Sequence, residues 1–243
     1  MVREGSELEQ IVVCIPAYNP KRALIWLLEG LTEHPFRRIV IVNDGSDIIS
    51  DKIFEEAARF ENVDILRVEQ NRGKGKAIKT GLQYIMKNIP TVKGVLTCGA
   101  DGQHYIEDIL KVTTTSRIFV DGIVLGMRDF NSEHLSLFHR IHSQSMSLLF
   151  KILFKKRIVD FQSGLRLLPY HQLSWIKSCP GNSSTFDTNV LIEAIRREVP
   201  IYELPIGKAR ISQSSFLQYD EVMNPKLITA QLLQSYLKKH ETF

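Results

Sequence analysis

Asp101, Gln103 and His104 follow an apolar run, Val95-Leu96-Thr97-Cys98, by way of Gly99 and Ala100. A carboxylate and an amide two residues apart offer hard oxygen donors, which with diphosphate oxygens and water would satisfy Mg²⁺ or Mn²⁺. His104 leaves three readings open: a metal ligand, a hydrogen-bond donor to a diphosphate, or a cap for the next element. Gly99 stands two residues before Asp101, where a second carboxylate would complete an Asp-x-Asp clamp.

Other polar groups fall at comparable places. In Pro16-Ala17-Tyr18-Asn19, the ring and the amide suit stacking on a base and bonding a ribose; equally, Asn19 suits capping a helix. In Asn43-Asp44-Gly45-Ser46, Asp44 can accept hydrogen bonds from a nucleobase imide or ribose hydroxyl, or cap a helix in turn. Asn71-Arg72-Gly73-Lys74-Gly75-Lys76-Ala77 puts glycines, backbone N–H groups and cations where a helix begins, which makes an anion site or a solvated basic loop. Its spacing matches neither the Walker A loop nor the dinucleotide fingerprint. Arg128, Arg140 and Arg166 suit bidentate phosphate contact as a set, and ordinary ion pairs singly. Asp160 and Asp187 lie in polar segments between apolar ones and are candidate bases.

These groups need a frame that gathers them. Residues 11–15, 38–42, 63–68, 94–98 and 122–125 read as buried strands. Residues 21–32, 51–59, 75–87 and 106–116 read as the helices between them. Such alternation predicts βαβ units around a mostly parallel sheet with right-handed crossovers. The loops after the strands then share one edge, so the polar clusters converge on one crevice. Beyond residue 130 the pattern predicts a long helix over 135–154, a helix over 188–197, a strand over 201–205 and an amphipathic helix over 225–239.

The chain has 243 residues, 44% of them hydrophobic and 24% charged, with a formal net charge of +4. That mild balance suits phosphorylated substrates or an anionic membrane surface and gives no signature of nucleic-acid binding. The 3 cysteines, Cys14, Cys98 and Cys179, are widely spaced, which predicts reduced thiols in a cytoplasmic protein. The polar opening shows no secretory signal, and no apolar run approaches the roughly 20 residues of a membrane span. Leu148, Leu149, Phe150, Ile152, Leu153 and Phe154 stand beside Lys151, Lys155, Lys156 and Arg157. This segment is either a surface for anionic lipid or a core helix with a solvated basic end.

In order and spacing these strings resemble glycosyltransferase family 2, of GT-A fold. Within it they are similar to the bacterial branch related to dolichyl-phosphate mannose synthases and other polyprenyl-phosphate sugar transferases. The resemblance runs over residues 11–216. It is carried by the strings at 15–20, 42–46, 71–77 and 100–104, then by those at 125–130, 160–166, 186–194 and 212–216. It implies an α/β three-layer sandwich around a mostly parallel sheet, in one domain over residues 1–243. The nucleotide-binding part would span about 8–130, the acceptor part about 131–216 and a C-terminal helix about 225–240.

The implied donor is a nucleoside-diphosphate sugar, UDP- or GDP-linked, and the implied acceptor is a polyprenyl phosphate or a glycan. Pro16, Ala17, Tyr18, Asn19, Asp44 and Lys74 would bind the nucleotide. Asp101 and Gln103 would hold Mg²⁺ or Mn²⁺ on the diphosphate. Arg128 and Arg166 would face phosphate or acceptor, with Asp160 and Asp187 at the reaction centre. The implied location is cytoplasmic, at the inner face of the membrane. Relatives carry Asp-Ala-Asp where this chain has Gly99-Ala100-Asp101, glutamate at the place of Asp187, and Gly-Asn at His142-Ser143. The alternative attached to Gly99 is a GT-A domain that binds nucleotide sugar or a protein partner without efficient turnover.

Overall fold

The computed structural model describes residues 5–128, 137–183, 185–207 and 230. The strands are β1 (Ile11–Ala17), β2 (Arg38–Asp44), β3 (Val63–Val68), β4 (Gly94–Thr97), β5 (Ile123–Met127), β6 (Arg166–Pro169) and β7 (Ile201–Pro205). The helices are α1 (Gly5–Leu8), α2 (Ala23–Thr32), α3 (Asp51–Ala57), α4 (Lys74–Asn88), α5 (Ile106–Thr114), α6 (Leu137–Phe154), α7 (Leu173–Ile176) and α8 (Thr185–Arg196). The strands form one 7-stranded sheet in the order β3-β2-β1-β4-β6-β5-β7. β1 pairs in parallel with β2 and β4, β2 with β3, and β5 with β7. β6 runs antiparallel between β4 and β5.

Side chains alternate across each strand, so a β-branched strand buried on both faces feeds two cores. Val12, Cys14, Val40, Val42 and Val95 point to the face covered by α4, α6 and α8, where Ile78, Leu82, Phe150, Phe186 and Leu191 pack. Ile11, Val13, Ile15, Ile39, Ile41 and Leu96 point to the opposite face, under Leu24, Leu28 and Leu31 of α2, Phe54 of α3, and Ile109 and Val112 of α5. Each fully buried aliphatic side chain contributes roughly 1.5–3 kcal/mol, so these two layers fix the sheet against its helices.

The expected strands and helices form, with two instructive differences. β1 and β2 run on to Ala17 and Asp44, so these two residues sit in paired strands and not in loops. Ala17 is opposite Asn43, and Asp44 opposite Val68. The second difference is β6, which the sequence reading lacks. Its 4 residues, Arg166-Leu167-Leu168-Pro169, are too few for periodicity to register, and they earn strand geometry through pairing with β4 and β5. The readings of Arg140 and His142-Ser143, of the string at 212–216 and of the helix over 225–239, Ala230 apart, fall outside the described side chains and residues.

Candidate active site

The carboxyl ends of β1 and β2 are stapled to each other. Asn19 sits at a left-handed φ of 46°. Its backbone N–H donates to Ser46 Oγ at 2.9 Å, and its side-chain Nδ2 donates to Asp47 Oδ2 at 2.9 Å. The Asp47 N–H returns a bond to Asn19 Oδ1 at 2.8 Å. Asn19 therefore joins two loops and caps no helix. Tyr18, 44% exposed, lies free of this staple at the same edge.

Asp44 is buried, and both its oxygens are in use: Oδ1 accepts the Arg72 N–H at 3.2 Å and Oδ2 the Gly73 N–H at 2.8 Å. The carboxylate thereby anchors the loop that opens α4. Gly73 holds a φ of 95°, and a Cβ there would lie 2.6 Å from the Asn182 carbonyl oxygen. Only glycine meets both demands. The Lys76 N–H donates to the same carbonyl at 3.0 Å, which docks the start of α4 on the segment ahead of α8.

Two ion pairs close the other side. Lys74 Nζ lies 2.6 Å from Asp187 Oδ2. Arg128 grips Asp160 with both arms of its fork, Nε to Oδ2 at 2.7 Å and NH2 to Oδ1 at 2.8 Å. Asp160 is 2% exposed and Arg128 12% exposed, so this bidentate pair is desolvated and geometrically strict. Arg166 is buried and spends its guanidinium on carbonyl oxygens of Ser163 at 2.7 Å, Phe161 at 2.8 Å and Asp187 at 2.7 Å. This corrects the expectation that Arg166 faces phosphate or acceptor. Its fork braces the turn after Asp160 and the first turn of α8.

Between these groups lies the turn of Asp101 to His104. Asp101 Oδ1 accepts the Gln103 N–H at 3.2 Å. Burial pushes the Asp101 carboxyl up from its ordinary value, against the pull of that N–H and of the Lys74 and Arg128 charges. Burial also pulls the His104 imidazole down to about 4, with Arg128 and Lys74 adding to the effect and Asp160 opposing it. The ring is thus neutral near pH 7 and keeps one nitrogen lone pair. The Lys74 and Arg128 charges act on both residues, so Asp101 and His104 lie near the two ion pairs.

Among the described residues, no three His, Cys, Asp or Glu side chains are placed to hold a metal by themselves. The donors present are one carboxylate, the Gln103 amide and an imidazole nitrogen. They fit a divalent cation that arrives with phosphate oxygens and water, as Mg²⁺ commonly does. Glu203 is the carboxylate beside this site that the sequence does not single out. Its Oε1 accepts the Val159 N–H at 2.7 Å and the Asp160 N–H at 3.1 Å, so β7 holds the backbone of the Asp160 turn. A lone carboxylate inside an otherwise uncharged strand, Ile201–Pro205, was the available signal.

Residues 12–169 match the family model described as "Glycosyl transferase family 2". A dolichyl-phosphate beta-glucosyltransferase of Trichomonas vaginalis is 28% identical over 224 residues, 79% of this chain and 63% of the relative's own length. A UDP-N-acetylglucosamine--dolichyl-phosphate N-acetylglucosaminyltransferase of Methanococcus voltae is 29% identical over 214 residues, covering 81% of this chain and 84% of the relative. Among solved structures, glucosyl-3-phosphoglycerate synthase from Mycobacterium tuberculosis, in complex with Mn²⁺, UDP-glucose and phosphoglyceric acid, superposes with a TM-score of 0.67. It is 14% identical, and the match covers 95% of this chain and 83% of the other. That likeness identifies the fold as GT-A.

Proposed function

The chain belongs to glycosyltransferase family 2, and from that premise we propose that it transfers a sugar from a nucleoside diphosphate to a polyprenyl phosphate, with inversion at the anomeric carbon. The observation that carries the reading is the convergence of Asp44, Lys74, Asp101, Arg128, Asp160 and Asp187 at one edge of the sheet through the bonds above. Both relatives named above act, by name, on dolichyl phosphate. A glycan acceptor would demand a general base, whereas a lipid phosphate presents an oxyanion that is already nucleophilic.

In this reading Pro16, Ala17, Tyr18 and Asn19 frame the base and ribose, and the Asp44-anchored loop offers Lys74 to the diphosphate. The donor is UDP- or GDP-linked. Asp101 and Gln103 would hold Mg²⁺ or Mn²⁺, whose chemistry is to neutralise charge on the leaving diphosphate. Lys74, held by Asp187, sits ready to turn toward the same oxygens. Arg128, aligned by Asp160, is aimed to orient the acceptor phosphate. The acceptor oxygen forms its bond to the anomeric carbon as the bond to the diphosphate breaks, and the nucleoside diphosphate departs. Asp160 and Asp187 act by aligning the cations, and Arg166 and Glu203 by holding the backbone on either side of Asp160.

The reading extends to the whole chain as one domain, with the nucleotide part over about 8–130 and the acceptor part over about 131–216. It also places the protein in the cytoplasm against the inner face of a membrane. In support, Leu148 and Ile152 on α6 are 56% and 66% exposed. Leu148 also lines a groove of about 240 Å³ together with Ser147, Lys151 and Arg157, apolar and basic together as an anionic lipid surface requires. Phe150 and Phe154 of the same helix are buried, so only one of its faces is offered. Among the described residues no helix is long and apolar enough to cross a membrane. No observation favours the alternative of a domain without turnover.

The test is transfer of radiolabelled sugar from UDP- and GDP-sugars to polyprenyl phosphate in detergent. Label in a lipid extract that requires both substrates supports the reading. Sugar released only as hydrolysis product, with every donor and with added glycan also inert, contradicts it.

A further inference from the structure

We propose that His104 supplies the divalent cation with the ligand that is missing at Gly99, so that the site consists of Asp101, Gln103 and His104 Nδ1 around a nucleotide-borne cation. The inference rests on the nucleotide-sugar reading above and assigns a residue to its metal.

Three observations carry it. First, His104 Nδ1 is buried and has no hydrogen-bond partner. A buried nitrogen in that condition carries an uncompensated desolvation penalty, and such groups are rare unless a ligand or ion completes them. Second, Gly99 leaves a specific gap. A Cβ at 99 would lie 2.9 Å from Asp101 Oδ1 and 3.6 Å from its Cγ. The single carboxylate thus leans over Gly99, into the space from which a side chain at 99 would start. One acid takes that space, and the ligand count falls by one. Third, His104 is three residues on from Asp101 in the same turn and shares its charged neighbours, Lys74 and Arg128. Those cations do not bar a metal. Lys74 is neutralised by Asp187 at 2.6 Å and Arg128 by Asp160 at 2.7 Å, and the cation would come with a diphosphate of opposite charge.

An imidazole in place of a carboxylate has a consequence for metal choice. Nitrogen donors suit Mn²⁺ and later first-row ions, whereas Mg²⁺ prefers an all-oxygen shell. The chain should therefore prefer Mn²⁺ over Mg²⁺ when nucleotide is bound.

Pulsed electron paramagnetic resonance of the full chain with Mn²⁺ and UDP, or GDP, reads the ligand directly. The expected result is a ¹⁴N modulation from one directly bound imidazole, absent in His104→Ala. In that variant Mn²⁺ affinity in the presence of nucleotide should fall on the order of tenfold or more, while nucleotide affinity without metal stays within about twofold. Adding Gly99→Asp to His104→Ala should recover Mn²⁺ affinity, with the Asp101 carboxylate giving up its 3.2 Å bond to the Gln103 N–H to make room for the new Cβ. Mn²⁺ bound with nucleotide but without ¹⁴N modulation overturns the assignment, as does a modulation that persists in His104→Ala. Equal loss of nucleotide affinity with and without metal would make His104 a phosphate donor and overturn it too. Failure of Mn²⁺ and either nucleotide to bind at all would remove the underlying reading along with it.

Discussion

Where β1 and β2 end, side chains are spent on backbone and loops: Asp44 on the N–H groups of Arg72 and Gly73, Asn19 on Ser46 and Asp47. Beside the turn at Asp160 and the first turn of α8, carboxylates are held by cations, Asp160 by Arg128 and Asp187 by Lys74. The first region is a cradle whose shape is set by neutral or charge-to-amide hydrogen bonds, and it presents the open ring of Tyr18. The second is a set of paired charges that can exchange partners when an anion enters. A transferase needs both: a rigid seat for the part of the donor that leaves unchanged, and movable charge where a bond breaks. The difference lies in chain separation as well. Asp44 reaches 29 residues to Gly73, whereas Lys74 reaches 113 to Asp187.

The contrast breaks first at Asp160. Asp160→Ala removes the bidentate partner of a nearly buried guanidinium, and removal of one partner from such a pair costs about 3–5 kcal/mol. Urea denaturation should show that loss, and a cost below about 1 kcal/mol would mean the pair is solvated like a surface one. In the cradle, Gly73→Ala forces a Cβ onto the Asn182 carbonyl at a positive φ, which costs of order 1–3 kcal/mol. It should also weaken nucleotide binding by displacing Lys74, the next residue, from its place beside Asp187. Unchanged stability and affinity together would show that the loop is not a seat.

Glu203 sharpens the comparison through pH. Burial raises its carboxyl above the ordinary value despite two N–H donors. A raised folded-state value means its favourable contribution is complete at low pH and is lost as pH rises through that value. Glu203→Gln keeps the acceptor oxygen and removes the titration. Thermal melts should therefore show wild type losing stability relative to the variant as pH climbs from about 4.5, the ordinary value; parallel curves would sink the idea. The smallest effect is expected away from both regions. Arg22 and Glu56 pair at 2.6 Å with 52% and 33% exposure, so Arg22→Ala should cost under about 1 kcal/mol.

Much of this was open to a reader of the sequence. Ile39-Val40-Ile41-Val42 can only be a doubly buried strand, and the polar residues that follow such a run must lie on the sheet edge. Asp44, Lys74 and Asp101 were legible for that reason. The partners were not. Nothing local ties Lys74 to Asp187 or Arg128 to Asp160, because the partners stand 113 and 32 residues apart in the chain. Arg166 shows the limit most clearly: an arginine beside a glycine turn looks like a phosphate ligand until the fold surrounds it with carbonyl oxygens. Gly99 was visible as a departure, but its meaning depended on where the Asp101 carboxylate comes to rest.

The central claim is a nucleotide seat completed by a cation at Asp101. Calorimetric titration of the full chain with UDP and with GDP, each with and without Mn²⁺, tests it most directly. The account predicts that one nucleotide binds and that Mn²⁺ tightens its binding on the order of tenfold or more. Absence of binding by both nucleotides, with and without Mn²⁺, would contradict it.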